Sequence, residues 1–371
     1  MTKLFSPVIL RGLRLSNRIM VAPMCQYSAD EGAATDWHRI HIGNLALSGA
    51  GMFCIEATHV EPEGRITPRC LGLWDDATEA ALRSVLSCVR KYSKTAVAIQ
   101  LAHAGRKASS HIPWEGGQQI PVAEGGWISH APSPIPYKTG EASPIELDSA
   151  GLERVRAAFV NAARRAARLG IDAIEVHAAH GYLLHEFLSP ISNQRTDAYG
   201  GSLENRLRYP LQVFDAVRDA FPADRPVGIK VSATDWVPGG WDLEQTIAFT
   251  HELRKRGVDW VDVSSGGLSP QQKITLGPGY QVPFAQAIKE ATGVNTMAVG
   301  LITAARQAEE ILVAGQADLV ALARGMLYDP RWGWHAAAEL GASVEAPPQY
   351  WRSPPAGVKG LFGGGAASGT R

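Results

Sequence analysis

The chain has 371 residues, 45% of them apolar, and its 36 Lys and Arg equal its 36 Asp and Glu. A balanced charge without long runs of one sign excludes the electrostatic footprint of a nucleic-acid or acidic-membrane partner. The length suits one large α/β barrel with insertions, and no apolar run approaches the width of a bilayer.

Continuous Val, Ile, Ala and Met runs predict strands over 18–24, 52–60, 96–103, 171–178, 227–233, 260–266, 296–301 and 319–324. Helical periodicities fall between them, over 76–92, 203–220, 243–256, 282–291 and 304–314. The clearest follows Asp148, a good N-cap, carries Leu152, Val155, Phe159, Ala162, Ala166 and Leu169 on one face, and stops at Gly170. Ser202 caps the 203–220 helix, with Glu204 in its first turn. Eight strand–helix repeats with no break in composition predict a single (β/α)8 TIM barrel over 1–353. An open doubly wound sheet would carry a Gly-rich turn after its first strand, where this chain has Ala-Pro-Met-Cys. The 104–146 stretch, with six prolines and six glycines, inserts after the third strand as a lid or specificity element. The tail 354–371 is expected to be flexible. Cys25, Cys54, Cys70 and Cys88 form no CxxC pair, and residues 1–7 have no apolar signal core, so a reduced, cytoplasmic protein is expected.

Barrel enzymes keep their chemistry at the C-terminal strand ends. There the chain places Pro23-Met24-Cys25-Gln26-Tyr27, Glu56-Ala57, Gln100 and His103 with Arg106-Lys107, His177, His180 and Tyr182, Lys230, and Ser264-Ser265-Gly266-Gly267. On an extended strand His177 and His180 face opposite sides; both serve one site only if the chain turns, which Gly181 allows. Two imidazoles can stabilise negative charge developing on a carbonyl or nitro oxygen, and Tyr182 can protonate the neighbouring carbon. A zinc reading lacks a third ligand, since Glu56 is the sole acidic candidate, and no metal is expected. Gly300 after the seventh strand, with Ala323 and Arg324 after the eighth, suits a phosphate: backbone N–H groups approach it and a guanidinium clamps it.

Four motifs resemble the old yellow enzymes, FMN-dependent ene-reductases, in their bacterial thermophilic-like class. They are 22–27 (APMCQY), 100–107 (QLAHAGRK), 177–182 (HAAHGY) and 193–206 (NQRTDAYGGSLENR), and the similarity runs in order over about residues 4–352. The resemblance implies FMN across the barrel mouth. Its ring would be held by Ala22, Pro23, Met24, Cys25, Ala57, Gln100 and Lys230, and its phosphate by Gly300, Ala323 and Arg324. It further implies NADPH as reductant and activated alkenes as substrates in a ping-pong cycle. His177 and His180 would bind the carbonyl or nitro group, Tyr182 would donate the proton, and Cys25 and Tyr27 would touch substrate. Lys230 departs from the family's usual arginine: positive charge stays beside the flavin, but the planar bidentate fork is lost. The 349–352 segment (QYWR) resembles one that places an arginine in a neighbouring protomer's site, so Arg352 would act in trans within a homodimer or homotetramer.

Two other classes fit the barrel. A sugar-phosphate aldolase or isomerase would use the phosphate site with Lys107 or Lys230. A non-catalytic ligand-binding barrel would leave the histidines and Tyr182 without a task.

Overall fold

In the computed structural model, which describes residues 2–363, eight parallel strands close into a barrel. They are β1 (Ile19–Val21), β2 (Met52–His59), β3 (Ala96–Ala102), β4 (Ala173–Ala178), β5 (Val227–Ser232), β6 (Val261–Ser264), β7 (Thr296–Ala298) and β8 (Leu319–Leu322). Each pairs with its neighbour in sequence, and β8 pairs with β1 to close the ring. The ladders are shorter than the apolar runs. In β1, for example, pairing stops at Val21, which frees 22–27 to line the mouth.

Between the strands run α1 (Asp36–Leu45), α2 (Asp76–Val89), α3 (Ser149–Arg168), α4 (Leu183–Leu188), α5 (Leu203–Ala220), α6 (Leu243–Lys255), α7 (Val282–Thr292) and α8 (Ala305–Val313), followed by α9 (Arg324–Tyr328) and α10 (Trp332–Leu340). Asp148 caps α3 by accepting the Gly151 N–H at 2.7 Å, and Gly170 after its end adopts φ +70°. Ser202 caps α5 at Asn205. The α1 helix has no acidic or amide partner for a capping box. Instead Thr35 donates its N–H to the His38 ring at 3.0 Å, which is why the usual start signal is missing.

The inner faces follow the period of two along each strand. Met20, Met52, Ala98, Ala173, Trp260, Met297 and Leu319 fill the lower barrel, and Leu10 and Leu15 of an N-terminal hairpin plug its base. One step higher stand Gln100, Glu175, Lys230 and Asp262, all buried. The 104–146 insertion contains short 3₁₀ turns and a two-residue strand pair rather than a packed subdomain. The tail expected to be flexible from residue 354 is anchored near its described end. Leu361 and Phe362 are buried, the latter edge-to-face on Trp334 at 5.0 Å. Residues 364–371 lie outside the described residues.

Candidate active site

At the end of β4 the chain does turn. His180 takes φ +59° and Gly181 φ +73°, two successive left-handed residues. A side chain at Gly181 would come within 2.2 Å of the Gly267 carbonyl, so the β6 loop packs directly on the turn. The Gly181 N–H donates to His185 Nδ1 at 2.9 Å, and His185 Nε2 meets Asp235 at 2.9 Å, both side chains fully buried. The turn brings three rings together: His177 lies edge-to-face with His180 at 5.2 Å and with Tyr182 at 5.0 Å.

His177 Nδ1 accepts the Ala179 N–H at 3.2 Å, so the neutral ring carries its proton on Nε2. His180 is held by its backbone N–H to Ser232 Oγ and by Nε2 against Ser264 Oγ at 2.8 Å. Burial, with His180 and Lys230 nearby, holds His177 well below the ordinary imidazole range; burial and Lys230 do the same to His180. Both are neutral at pH 7. Burial pushes the Tyr182 phenol up, so it keeps its proton until a strong base forms beside it.

Beneath these rings Gln100 donates to Glu175 at 2.8 Å and Lys230 donates to Asp262 at 2.6 Å. Burial and Asp262 push Glu175 up to about 7, against the pull of Lys230. Burial disfavours the Lys230 ammonium, but Asp262 and Glu175 outweigh it and the net shift is upward. Lys230 is thus a charged group already paired, rather than the free charge its sequence position implied.

Across the mouth, Gly300 takes φ +117° and a side chain there would strike Gln281 at 2.7 Å. The backbone N–H groups of Gly300, Leu301, Ala323 and Arg324, on two adjacent strand ends, donate to nothing among the described residues. The Arg324 side chain is exposed beside them. Ala22 and Ala57 are buried; Pro23, Met24, Cys25 and Tyr27 are partly exposed. Cys25 and Tyr27 pack against the same small apolar cluster, and both are pushed up chiefly by burial. The insertion reaches the site twice, with Trp114 edge-on to Tyr27 at 5.6 Å and Tyr137 beside Lys107.

Two residues stand apart. His103 turns away from the barrel axis onto Glu61 at 3.0 Å. Arg352 is exposed just after Tyr350, which packs on Trp334; Trp334 in turn abuts Gly49, before β2 begins. In its own chain Arg352 is therefore not at the mouth. Sequence reasoning missed Ser232, His185, Asp235, Asp262 and Tyr137, each of which matters through a partner far along the chain.

A closed barrel with unengaged backbone N–H groups on one side of its mouth, a polar floor and neutral imidazoles beside a phenol suits a cofactor-binding oxidoreductase class. Residues 3–342 match the family described as "NADH:flavin oxidoreductase / NADH oxidase family". An NADPH dehydrogenase of Geobacillus thermodenitrificans is 46% identical over 353 residues, 95% of this chain and 98% of that protein. One of Bacillus licheniformis is 43% identical over 95% of this chain and 98% of its own length. The structure of morphinone reductase superposes with a TM-score of 0.76 at 29% identity, over 94% of this chain and 92% of that one. The chain belongs to this family, the old yellow enzymes, and is an FMN-dependent oxidoreductase served by a nicotinamide nucleotide.

Proposed function

We propose that the protein is an NADPH-dependent ene-reductase that saturates the C=C bond of α,β-unsaturated carbonyls, nitroalkenes and maleimides. The observation that carries this reading is the edge-to-face cluster of His177, His180 and Tyr182. The residues present fit FMN. Four unengaged N–H groups and Arg324 suit a phosphate, with Gly300 giving it room. Ala22 to Cys25, Ala57, Gln100 and Lys230 would hold the ring, the last two presenting polar groups on the barrel's inner wall. When bound, FMN would supply hydride chemistry, with NADPH as the reductant and the alkene β-carbon as the acceptor.

The chain does the rest. His177 Nε2–H and His180 hold the carbonyl or nitro oxygen, each neutral ring through its single N–H. As negative charge builds on the oxygen and α-carbon, Tyr182 gives its phenolic proton to the α-carbon. Hydride at one carbon and proton at the other balance the reduction. Cys25 and Tyr27 border the same space. The 104–146 insertion, through Trp114 and Tyr137, sets which alkenes enter. Arg352 completes a neighbouring protomer's site in a homodimer or homotetramer. Truncation before Pro347 should lower both the oligomeric state in sedimentation and the turnover.

The test is anaerobic stopped-flow on the FMN holoenzyme. NADPH should bleach the flavin, and 2-cyclohexenone should restore it with formation of cyclohexanone. A flavin that NADPH reduces but that no enone, nitroalkene or maleimide reoxidises faster than buffer overturns the reading.

A further inference from the structure

Under the insertion, one side chain away from Tyr182 through Lys107, lies a cavity of about 120 Å3 bordered by Tyr27, Arg106, Lys107, His111, Tyr137 and Lys138. Its electrostatics are unusual. Three cations converge on one phenol ring: Lys107 at 4.7 Å from the Tyr137 centroid, Lys138 at 5.7 Å and Arg106 at 5.9 Å. Lys107 also stands 5.0 Å from the ring of Tyr182. A ring face rewards a cation only weakly compared with a carboxylate.

Neither Arg106 nor Lys107 forms an ion pair among the described residues. Lys107 Nζ donates to the carbonyls of His180 at 2.9 Å and Gly267 at 3.1 Å, which leaves one of its three N–H bonds. Arg106, only 5% exposed, donates to the carbonyls of Leu268 and Ile135, and its buried Nε has no partner. The carboxyl nearest in the fold gives little compensation. Glu186 accepts the Arg106 backbone N–H at 2.8 Å, and burial pushes its pKa up to about 8, so it is mostly neutral at pH 7. Glu141, at the rim, accepts the Lys138 backbone N–H at 3.1 Å. Buried cations without a counter-charge are costly, and an arriving anion relieves that cost. The volume admits a few water-sized groups, enough for a carboxylate or a phosphate and too little for a nucleoside.

We propose that this cavity is an anion subsite: it receives a carboxylate or phosphate carried by the molecule whose reacting end lies at Tyr182. The proposal rests on the ene-reductase reading for where that end lies. Two sources have this chemistry, an acidic substituent on the alkene and a phosphate of the nicotinamide nucleotide.

The experiment compares N-ethylmaleimide with N-(2-carboxyethyl)maleimide as oxidants of the reduced holoenzyme, in the wild type and in Lys107→Met and Lys107→Arg. In parallel, the dependence of flavin reduction on NADPH concentration is measured. If the anion is the alkene's, the wild type prefers the carboxylated compound about tenfold in kcat/KM, as a charge-assisted hydrogen bond provides. Lys107→Met then erases that ratio and Lys107→Arg keeps most of it. If the anion is the nucleotide's, the ratio stays and Lys107→Met instead raises the NADPH concentration giving half-maximal reduction about tenfold. Movement in neither arm overturns the subsite. Because the alkene arm is a ratio, general damage to the variant cancels. Should Lys107→Met not retain FMN, inorganic phosphate added to the wild type decides: competition against neither the carboxylated maleimide nor NADPH equally overturns the proposal. Failure to reduce N-ethylmaleimide, together with every enone and nitroalkene, would sink the ene-reductase reading alone, since the NADPH arm still reads the cavity.

Discussion

The lower and upper halves of the barrel interior are built from the same strands by opposite rules. Along β4, Ala173, Glu175 and His177 share the inner face; along β3, Ala98 is followed by Gln100. Below, Met20, Met52, Met297 and Leu319 need only volume filled, and any well-fitting apolar side chain would serve. Above, each group requires a particular partner: Gln100 its Glu175, Lys230 its Asp262, His180 its Ser264. The first layer is specified by volume and the second by pairing. The second is bearable because its charges are nearly all paired or neutralised.

Four substitutions would break or sharpen this contrast. Tyr182→Phe should slow reoxidation by an enone about a thousandfold while flavin reduction by NADPH and the urea midpoint stay put. An equal loss in both half-reactions would mean that the phenol serves binding rather than proton transfer. Asp262→Asn should destabilise the fold by about 3 kcal/mol, because it strands a buried ammonium. It should also raise the flavin midpoint potential. A loss below about 1 kcal/mol would show that Lys230 does not depend on Asp262. Met297→Ala, in the lower layer, should cost about 3 kcal/mol in urea unfolding, with both half-reactions unaltered. Altered kinetics there would erase the division between layers.

The smallest effect concerns pH. Burial holds Glu186 near 8 against an ordinary glutamate value of 4.5, so the unfolded chain gives up this proton first. Its raised folded-state value means that stability present below the unfolded pKa is lost as pH climbs towards about 8. Glu186→Gln removes that loss. Its stability relative to the wild type should rise with pH between 5 and 7.5, by at most about 1.4 kcal/mol per unit. A flat difference in urea midpoints would place Glu186 in its ionised form.

What the sequence determined by itself is local or periodic. Strand runs repeat eight times with helical periodicities between them, so the barrel follows; glycine at 181 permits the turn that brings His177, His180 and Tyr182 together. Ser202 and Asp148 mark helix starts because an N-cap acts on a neighbour three residues on. The tertiary structure decided everything that depends on distant partners. Lys230 meets Asp262 only because β5 lies beside β6, and Tyr137 reaches Lys107 only because the insertion folds back over the mouth. The outward turn of His103 to Glu61 and the docking of Phe362 on Trp334 are likewise invisible to periodicity. The physical reason is range: propensity and capping act within one or two turns, whereas the pairing of a buried charge is settled by whichever strand or loop the closed barrel brings beside it.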